Sequence, residues 1–197
     1  VSGTVKLNTT SVVGGPRIDW DSATTVPSTT TNLLPTLAID KAQQLSASGS
    51  ASLDIGPGNV VAVVGTLTLE MATADVVTGN ALITGLGTTA GTIDDANVLA
   101  FTISGASLFV GTGAELNTAR DGINDESGEG SLTADAVGFS VTGASFSMAS
   151  VTKGTTSFTG VEATLTNAAL LGIDAVDLQV SGTVKLNTTS VVGGPRI

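Results

Sequence analysis

The residues VSGTVKLNTTSVVGGPRI occupy positions 1–18 and return without a substitution at positions 180–197. The second copy starts 179 residues after the first. Eighteen identical positions do not arise by chance, and folding gives a globular domain no reason to end on the stretch with which it begins. We therefore interpret residues 1–179 as one full repeat unit and residues 180–197 as the start of the next, within a tandem array.

The duplicated stretch has the alternation of a β-strand. Val5 and Leu7 alternate with polar neighbours, and in the second copy the alternation already starts at residue 176 and continues to residue 186. A period of two predicts a strand with one buried and one solvated face. The second copy therefore starts inside a strand. We expect the chain to expose an unpaired strand at each end, continuous in the array with a neighbouring copy.

The composition favours β-structure with a thin core. Apolar residues make up 41% of the chain, but aromatic residues only 3%, with no Tyr, one Trp and 25 Gly. Val, Leu, Ala and Thr can fill a thin space between β layers, and many glycines are typical of tight turns. No segment has a sustained apolar period of 3.6 residues, so we expect an all-β chain with almost no helix.

The charge and the missing residue types exclude several functions. The net charge of −10 argues against binding nucleic acid or an anionic membrane. The absence of Cys and His removes disulfides, thiolate metal sites and the commonest general base. No apolar run approaches the ~20 residues of a membrane-spanning helix, so we expect no membrane insertion. No catalytic motif is recognisable, and we predict that the protein is not an enzyme.

Two segments predict chain reversals. Residues 44–71 have the pattern of a hairpin around Gly56-Pro57-Gly58-Asn59, where Gly permits positive φ and Pro fixes φ near −65°. A second reversal is predicted at Thr152-Lys153-Gly154-Thr155. Reversals of this kind favour antiparallel hairpins.

A shorter repeat lies inside the long one. Residues 97–108 align with residues 135–146 and, more briefly, 174–182, at spacings of 38 to 39 residues, and residues 59–71 form a weaker copy. Repeats of this length are typical of solenoids and other linear arrays. We therefore expect an all-β, elongated tandem-repeat rod that is β-solenoid-like. Stacked antiparallel β-hairpins or β-sandwich repeats are the alternatives.

Glycines in two sub-repeats mark a change of strand parity. The apolar positions change from odd to even after Gly105, and the same change takes place around Gly143. A strand can keep both halves facing the core only if it bulges or turns a corner there. A corner favours the solenoid, to which we give a slight preference.

One acidic loop has the composition of a calcium site. Hard cations need six to eight oxygen ligands, and short loops of Asp, Asn, Glu and Gly can supply them. A solvated acidic loop with no metal is the equally weighted alternative. If calcium binds, the predicted ligands are Asp121, Asn124, Asp125, Glu126 and Glu129.

Trp20 stands between Asp19 and Asp21. An indole flanked by carboxylates can stack on a sugar, but it more often packs as a plug over the end of a sheet.

Residues 101–111, 121–125, 137–146 and 169–174 resemble repeats of giant, acidic, Cys-free bacterial extracellular proteins of the adhesin-like, surface or filament type. The resemblance implies secretion, a β-rich rod, and calcium as a stiffener. We expect a structural repeat of an extracellular or cell-surface protein, forming a filament or stalk for adhesion, sheath or cell-cell contact. Its partners would be neighbouring copies of the same repeat. The alternative is a carbohydrate-binding or carbohydrate-active β-helix module, whose partners would be glycans.

Overall fold

The computed structural model describes residues 1–12, 15–25, 34–56, 60–125, 132, 136–173 and 178–197. These residues form nine strands and no helix, so the all-β prediction is confirmed. Within these ranges no helix is long and apolar enough to cross a membrane. The strands are β1 (Ser2–Leu7), β2 (Gln43–Ile55), β3 (Val60–Val77), β4 (Thr92–Thr112), β5 (Ala114–Leu116), β6 (Ile123–Asp125), β7 (Val137–Lys153), β8 (Thr156–Leu171) and β9 (Gln179–Thr189).

Seven strands form one antiparallel sheet in the order β1-β2-β3-β4-β7-β8-β9, and β5 and β6 form a separate small hairpin. The predicted hairpin of residues 44–71 is confirmed as β2 and β3, with Gly56 at φ +62°, whereas Pro57, Gly58 and Asn59 lie outside the described residues. The second predicted reversal joins β7 to β8. Lys153 pairs with Thr156 there, and Gly154 has a φ of +59°.

The predicted change of parity is produced by β-bulges in the middle of the sheet. Gly105 and Gly143 have φ values of +64° and +67°. The register between β4 and β7 shifts on either side of Ala106, so each strand carries one extra residue. The strands continue beyond the bulges without a corner, and every paired strand is antiparallel. The sheet thus matches the antiparallel-hairpin alternative, and the preference for a solenoid coil is not supported within the described strands.

The pairing places apolar side chains on one face of the sheet across its full width. One row runs from Val5 through Ala47, Leu69, Phe101, Met148 and Val161 to Leu186. The extra residues in the middle strands keep the apolar side chains on this same face beyond the bulges. We define the apolar face by Val5, Leu7, Leu45, Ala47, Ala51, Leu53, Ile55, Val60, Ala62, Val64, Leu67, Leu69, Met71, Leu99, Phe101, Ile103, Ala106, Leu108, Val110, Phe139, Val141, Ala144, Phe146, Met148, Val161, Ala163, Leu165, Ala168, Leu170, Val180, Val184 and Leu186.

The opposite face, which we name the covered face, carries two small cores. At one end Val61 and Phe109 are fully buried with Ala114 of the β5–β6 hairpin and with Ala136. At the other end Ile93, Ala96 and Phe158 pack against Ile83, which lies in the segment between β3 and β4. The largest fully buried side chains belong to these two cores or, in Asp125, to the hairpin that covers one of them.

The duplicated strand is exposed on both of its faces. Val5 and Leu7 of β1 are 71% and 62% exposed, and Val184 and Leu186 of β9 are 71% and 53% exposed. The predicted alternation is therefore confirmed, but its expected buried face is not formed in this chain. Strand alternation shows that a face is apolar, whereas its burial depends on a second layer.

Candidate assembly interface

The two copies of the duplicated strand lie at opposite edges of the seven-stranded sheet. β1 pairs with β2, and β9 pairs with β8. Six antiparallel steps separate the two strands, so they run in the same direction. The two terminal strands are therefore not unpaired: among the described strands, each is paired along one edge and open along the other. The same sequence therefore has its neighbouring strand on one side in the first copy and on the other side in the second copy.

The two copies use opposite hydrogen-bonding edges. The backbone N–H of Asn8, directly after β1, donates to the Gln44 carbonyl over 3.0 Å. The N–H of Ser190, directly after β9, donates to the Ser157 carbonyl over 2.9 Å. In the numbering of the first copy, Ser190 corresponds to Ser11. Ser11 and Asn8 are separated by an odd number of positions along the chain. Successive residues in an antiparallel strand point their N–H groups to opposite edges, so each copy leaves open the edge that the other uses.

The two copies also present their apolar residues to the same face. The row that starts at Val5 ends at Leu186, the copy of Leu7, and the row that starts at Gly3 ends at Val184, the copy of Val5. The rows therefore step by two residues along the strand from one copy to the other. A step of two preserves the face, whereas a step of one would reverse it.

The turn that follows the strand folds alike in both copies. Asn8 donates through Nδ2 to the Ile18 carbonyl over 2.9 Å, and Asn187 donates through Nδ2 to the Ile197 carbonyl. The backbone bond from Gly15 to Val12, 2.9 Å long, recurs with the same length from Gly194 to Val191. The described residues of the turn thus make the same two bonds beside two different neighbours.

In the first copy, Asn8 also holds the segment that follows the turn. It is only 2% exposed, and Nδ2 makes a second bond of 3.0 Å to the Asp40 carbonyl. Its Oδ1 accepts a 3.2 Å bond from the Trp20 indole Nε1. Half-buried Trp20 thus packs at the end of the sheet, the more common of its two predicted roles. Lys6 adds a 2.9 Å bond from Nζ to the Ala38 carbonyl.

We did not single out Asn8 and Lys6 as site residues from the sequence. Their presence in the duplicated stretch, where polar as well as apolar positions are identical, was the signal that could have indicated them. Asn8 uses its oxygen and both hydrogens of its amide in these contacts, which satisfies a buried side chain.

A groove of about 560 Å³ borders the second copy on the covered face of the sheet. Its lining includes Phe158 of β8, Lys185 and Asn187 of β9, and Ile197. Lys185 and Asn187 are the copies of Lys6 and Asn8, which in the first copy bind the carbonyls of Ile18, Ala38 and Asp40. The groove therefore lies where a copy of that segment would sit.

Two further contacts cross between the second copy and the body of the sheet. Lys185 of β9 forms an ion pair of 3.2 Å with Glu162, its cross-strand partner in β8. The Asn80 amide Nδ2, beyond the end of β3, donates to the carbonyl of Arg196 over 2.6 Å. Side chains of the unit thus bind both the strand and the turn of the duplicated stretch.

The structure describes three of the five predicted calcium ligands, and Glu126 and Glu129 lie outside the described residues. Asp121 is exposed in the turn between β5 and β6, and its Oδ1 accepts a 2.7 Å bond from Asn117 Nδ2. Asn124 and Asp125 are neighbours in β6, so their side chains point to opposite sides of the hairpin. In the described part of the chain, no group of three or more His, Cys, Asp or Glu residues could hold a metal. The calcium site stays a prediction.

Asp94 and Asp95, two adjacent carboxylates of β4, both make structural contacts. Asp94 accepts a 2.7 Å bond from the Thr88 N–H through Oδ2, and Asp95, at φ +48°, donates its N–H to Asp75 over 2.8 Å. The first bond holds the segment between β3 and β4 against the sheet, and the second joins β4 directly to β3.

Comparisons with protein-family models, with curated proteins and with solved structures find no match to the chain. The class that the fold and its edges define is therefore an all-β protein with one antiparallel sheet bounded by two copies of a single strand.

Proposed function

We propose that the chain is one period of a tandem-repeat structural protein, in which consecutive periods share the duplicated strand. The strand that is β9 of one period is β1 of the next. It pairs with the preceding β8 through one edge and with the following β2 through the other. The observation that carries this proposal is that the two copies use opposite hydrogen-bonding edges of the same sequence.

Shared strands produce one continuous antiparallel sheet. Each period contributes six strands to it, an even number, so strand direction is kept from one period to the next. With strands about 4.8 Å apart, a period advances the sheet by about 29 Å. The apolar rows also continue across the junction, because they step by two residues per period. The product is a β-rich filament or stalk whose length is set by the number of periods.

The junction is held by the contacts that the two copies make separately. In the array one lysine combines the partners of Lys185 and Lys6, which are Glu162 of the preceding period and the Ala38 carbonyl of its own. An ammonium group has three hydrogens and can serve both. Sharing the strand also removes the open sheet edges at internal junctions, which would otherwise be sites of aggregation.

We propose an extracellular or cell-surface location and a role in adhesion, a sheath or cell-cell contact. The net charge of −10, the lack of cysteine and the resemblance to giant bacterial surface proteins support this location. Repulsion between acidic surfaces keeps long filaments apart in solution. Calcium at Asp121, Asn124, Asp125, Glu126 and Glu129 is a further proposal. Calorimetric titration with calcium tests it, and no heat together with no change in melting temperature in excess chelator would remove it.

Hydrogen exchange resolved at single amides tests the shared strand. In the 197-residue chain we expect alternate protection at both edges. The amides of Thr4 and Lys6 are protected by β2, those of Val184 and Leu186 by β8, and the residues between them exchange fast. In a protein of two periods, residues 1–179 followed by 1–197, all amides from the second to the ninth residue of the central copy are protected. The outer copies in the same protein are the matched control, and a central copy that still exchanges at alternate amides would contradict the proposal.

A further inference from the structure

We propose that the apolar face is an interface on which a second copy of this sheet packs, forming a two-layered sandwich. The inference does not depend on the shared strand, because the face is complete within one chain. The covered face is already packed at its two ends, by the β5–β6 hairpin and by the segment between β3 and β4. The apolar face has no such layer among the described residues, and Val110 and Met71 in its middle strands are 45% and 39% exposed.

The size of the face is that of a stable interface. Six inter-strand steps of about 4.8 Å make it about 29 Å wide, and a strand of 13 residues such as β2 is about 44 Å long at ~3.4 Å per residue. These dimensions enclose roughly 1,200 Å², above the ~800 Å² that each partner contributes to a typical stable complex. Apolar areas of this size are not left in water by monomeric proteins.

The chemistry of the face fits a copy of itself. None of the residues that define it is charged, and the charged residues Lys6, Glu70, Glu162 and Lys185 lie between them in sequence and point to the covered face. An uncharged aliphatic surface meets the same surface with no desolvated charge. Phe101 and Phe146, with ring centroids 5.9 Å apart, give its centre a raised aromatic pair.

Two copies of the sheet can cover each other's apolar faces without any additional structural element. Sheets pack face to face at about 10 Å, with side chains of the two inner faces interdigitated. Aliphatic side chains on the described strands alternate with alanines, for example Leu69 beside Ala47 and Val161 beside Ala163, which gives the face both ridges and hollows. If consecutive periods also share strands, paired sheets become a double-layered filament.

Sedimentation equilibrium of the 197-residue chain tests the proposal. We expect a dimer, and we expect Val110→Lys and Met71→Lys each to raise its dissociation constant at least about 100-fold, because each buries one lysine per copy in the interface. The matched control is Leu82→Lys, which adds the same charge at a site that is 77% exposed and lies off the apolar face. The control is expected to dimerise like the parent chain, and circular dichroism checks that each variant is folded.

A spin label provides a second test, which can still be used if a lysine variant folds poorly. The chain contains no cysteine, so Val110→Cys and Leu82→Cys each carry one label. Immobilisation on dimerisation at position 110, with a mobile label at position 82, supports the interface. A chain that stays monomeric with a mobile label at position 110 would overturn it. So would a monomer that binds vesicles of phosphatidylcholine through position 110, since the occupant would then be lipid.

Discussion

Asn8 joins the end of β1 to two later parts of the chain, one at Ile18 and Trp20 and the other at Asp40. Its amide binds the Ile18 carbonyl, the Asp40 carbonyl and the Trp20 indole while the side chain is 2% exposed. Removing it leaves buried polar groups without partners, which costs more than the bonds themselves contribute. We expect Asn8→Ala to lower the free energy of unfolding by about 2–3 kcal/mol. Urea unfolding followed through Trp20, the only tryptophan, measures it.

The identical residue in the second copy is the control for that change. Asn187 is exposed and donates to the Ile197 carbonyl. We expect Asn187→Ala to cost less than about 1 kcal/mol, because water replaces its partner. Equal costs for the two alanine variants would show that the Asn8 contacts do not hold the segment of residues 18–40.

The glycines of the inner repeat predict a graded series. Gly143 has a φ of +67°, and a Cβ there would lie 2.9 Å from the Thr166 side chain. Gly105 has a φ of +64°, but its nearest neighbour would be 3.7 Å away. We expect Gly105→Ala to cost about 1 kcal/mol from backbone strain alone, and Gly143→Ala about 2 kcal/mol or more. Denaturant midpoints of the purified variants measure the difference.

Gly182 is the control glycine of this series. It aligns with the other two in sequence but lies in the regular strand β9, with open space around its Cβ position. We expect Gly182→Ala to stabilise the chain by about 0.5 kcal/mol, because alanine loses less backbone entropy on folding. The same sign for all three alanine variants would contradict the assignment of bulges to Gly105 and Gly143.

At the scale of strands, alternation and glycine placement were sufficient to predict much of the sheet. The β2–β3 and β7–β8 hairpins follow from local turn residues, and the bulges follow from a change of parity that one strand must correct. The covering layer was not predictable. Ile83 is buried from a segment with no period, and its burial depends on contacts with nearby Ile93 and with Phe158, which is remote in sequence.

One part of the candidate interface was predictable from the sequence. The duplication indicated that both copies would be strands with an unpaired edge, and they are the two edge strands of the sheet. The opposite hydrogen-bonding edges could not be read from sequence, because the direction of an N–H depends on the neighbour with which the strand pairs. The partners of Asn8 are likewise brought together by the fold. The slight preference for a solenoid arose because a bulge and a corner leave the same parity signal.

The groove beside β9 leads to a prediction about a segment rather than a single residue. If a copy of residues 19–40 is added after Ile197, it should occupy the groove and bind Asn187 as the first copy binds Asn8. We expect the cost of Asn187→Ala to rise in this extended chain to about the 2–3 kcal/mol expected for Asn8→Ala. The control is an extension of the same length with a shuffled sequence. An unchanged cost in the true extension would show that the groove has another occupant.

At the scale of the whole molecule, the sheet has two faces with different roles. The covered face is packed at its two ends by elements of the same unit, with the groove beside β9 left between them, whereas the apolar face spans the sheet from β1 to β9 without a covering element among the described residues. In the proposed array, the edges would determine growth across the strands, and the apolar face would determine thickness. The extent of the sheet across its strands and the thickness of the particle can therefore be measured separately in solution. The first would depend on the number of periods, and the second on association between chains.

Solution scattering from proteins of one, two and three periods measures this separation. If strands are shared, the dimension of the particle perpendicular to its strands should increase by about 29 Å with each added period, because six strands at about 4.8 Å are added each time. Melting temperature should rise along the same series, since every new period adds a junction to the sum of nearest-neighbour terms. Val110→Lys should reduce the thickness of the particle but leave the increase per added period unchanged. Periods that scatter as independently moving bodies, with one melting temperature for all three lengths, would refute the continuous sheet.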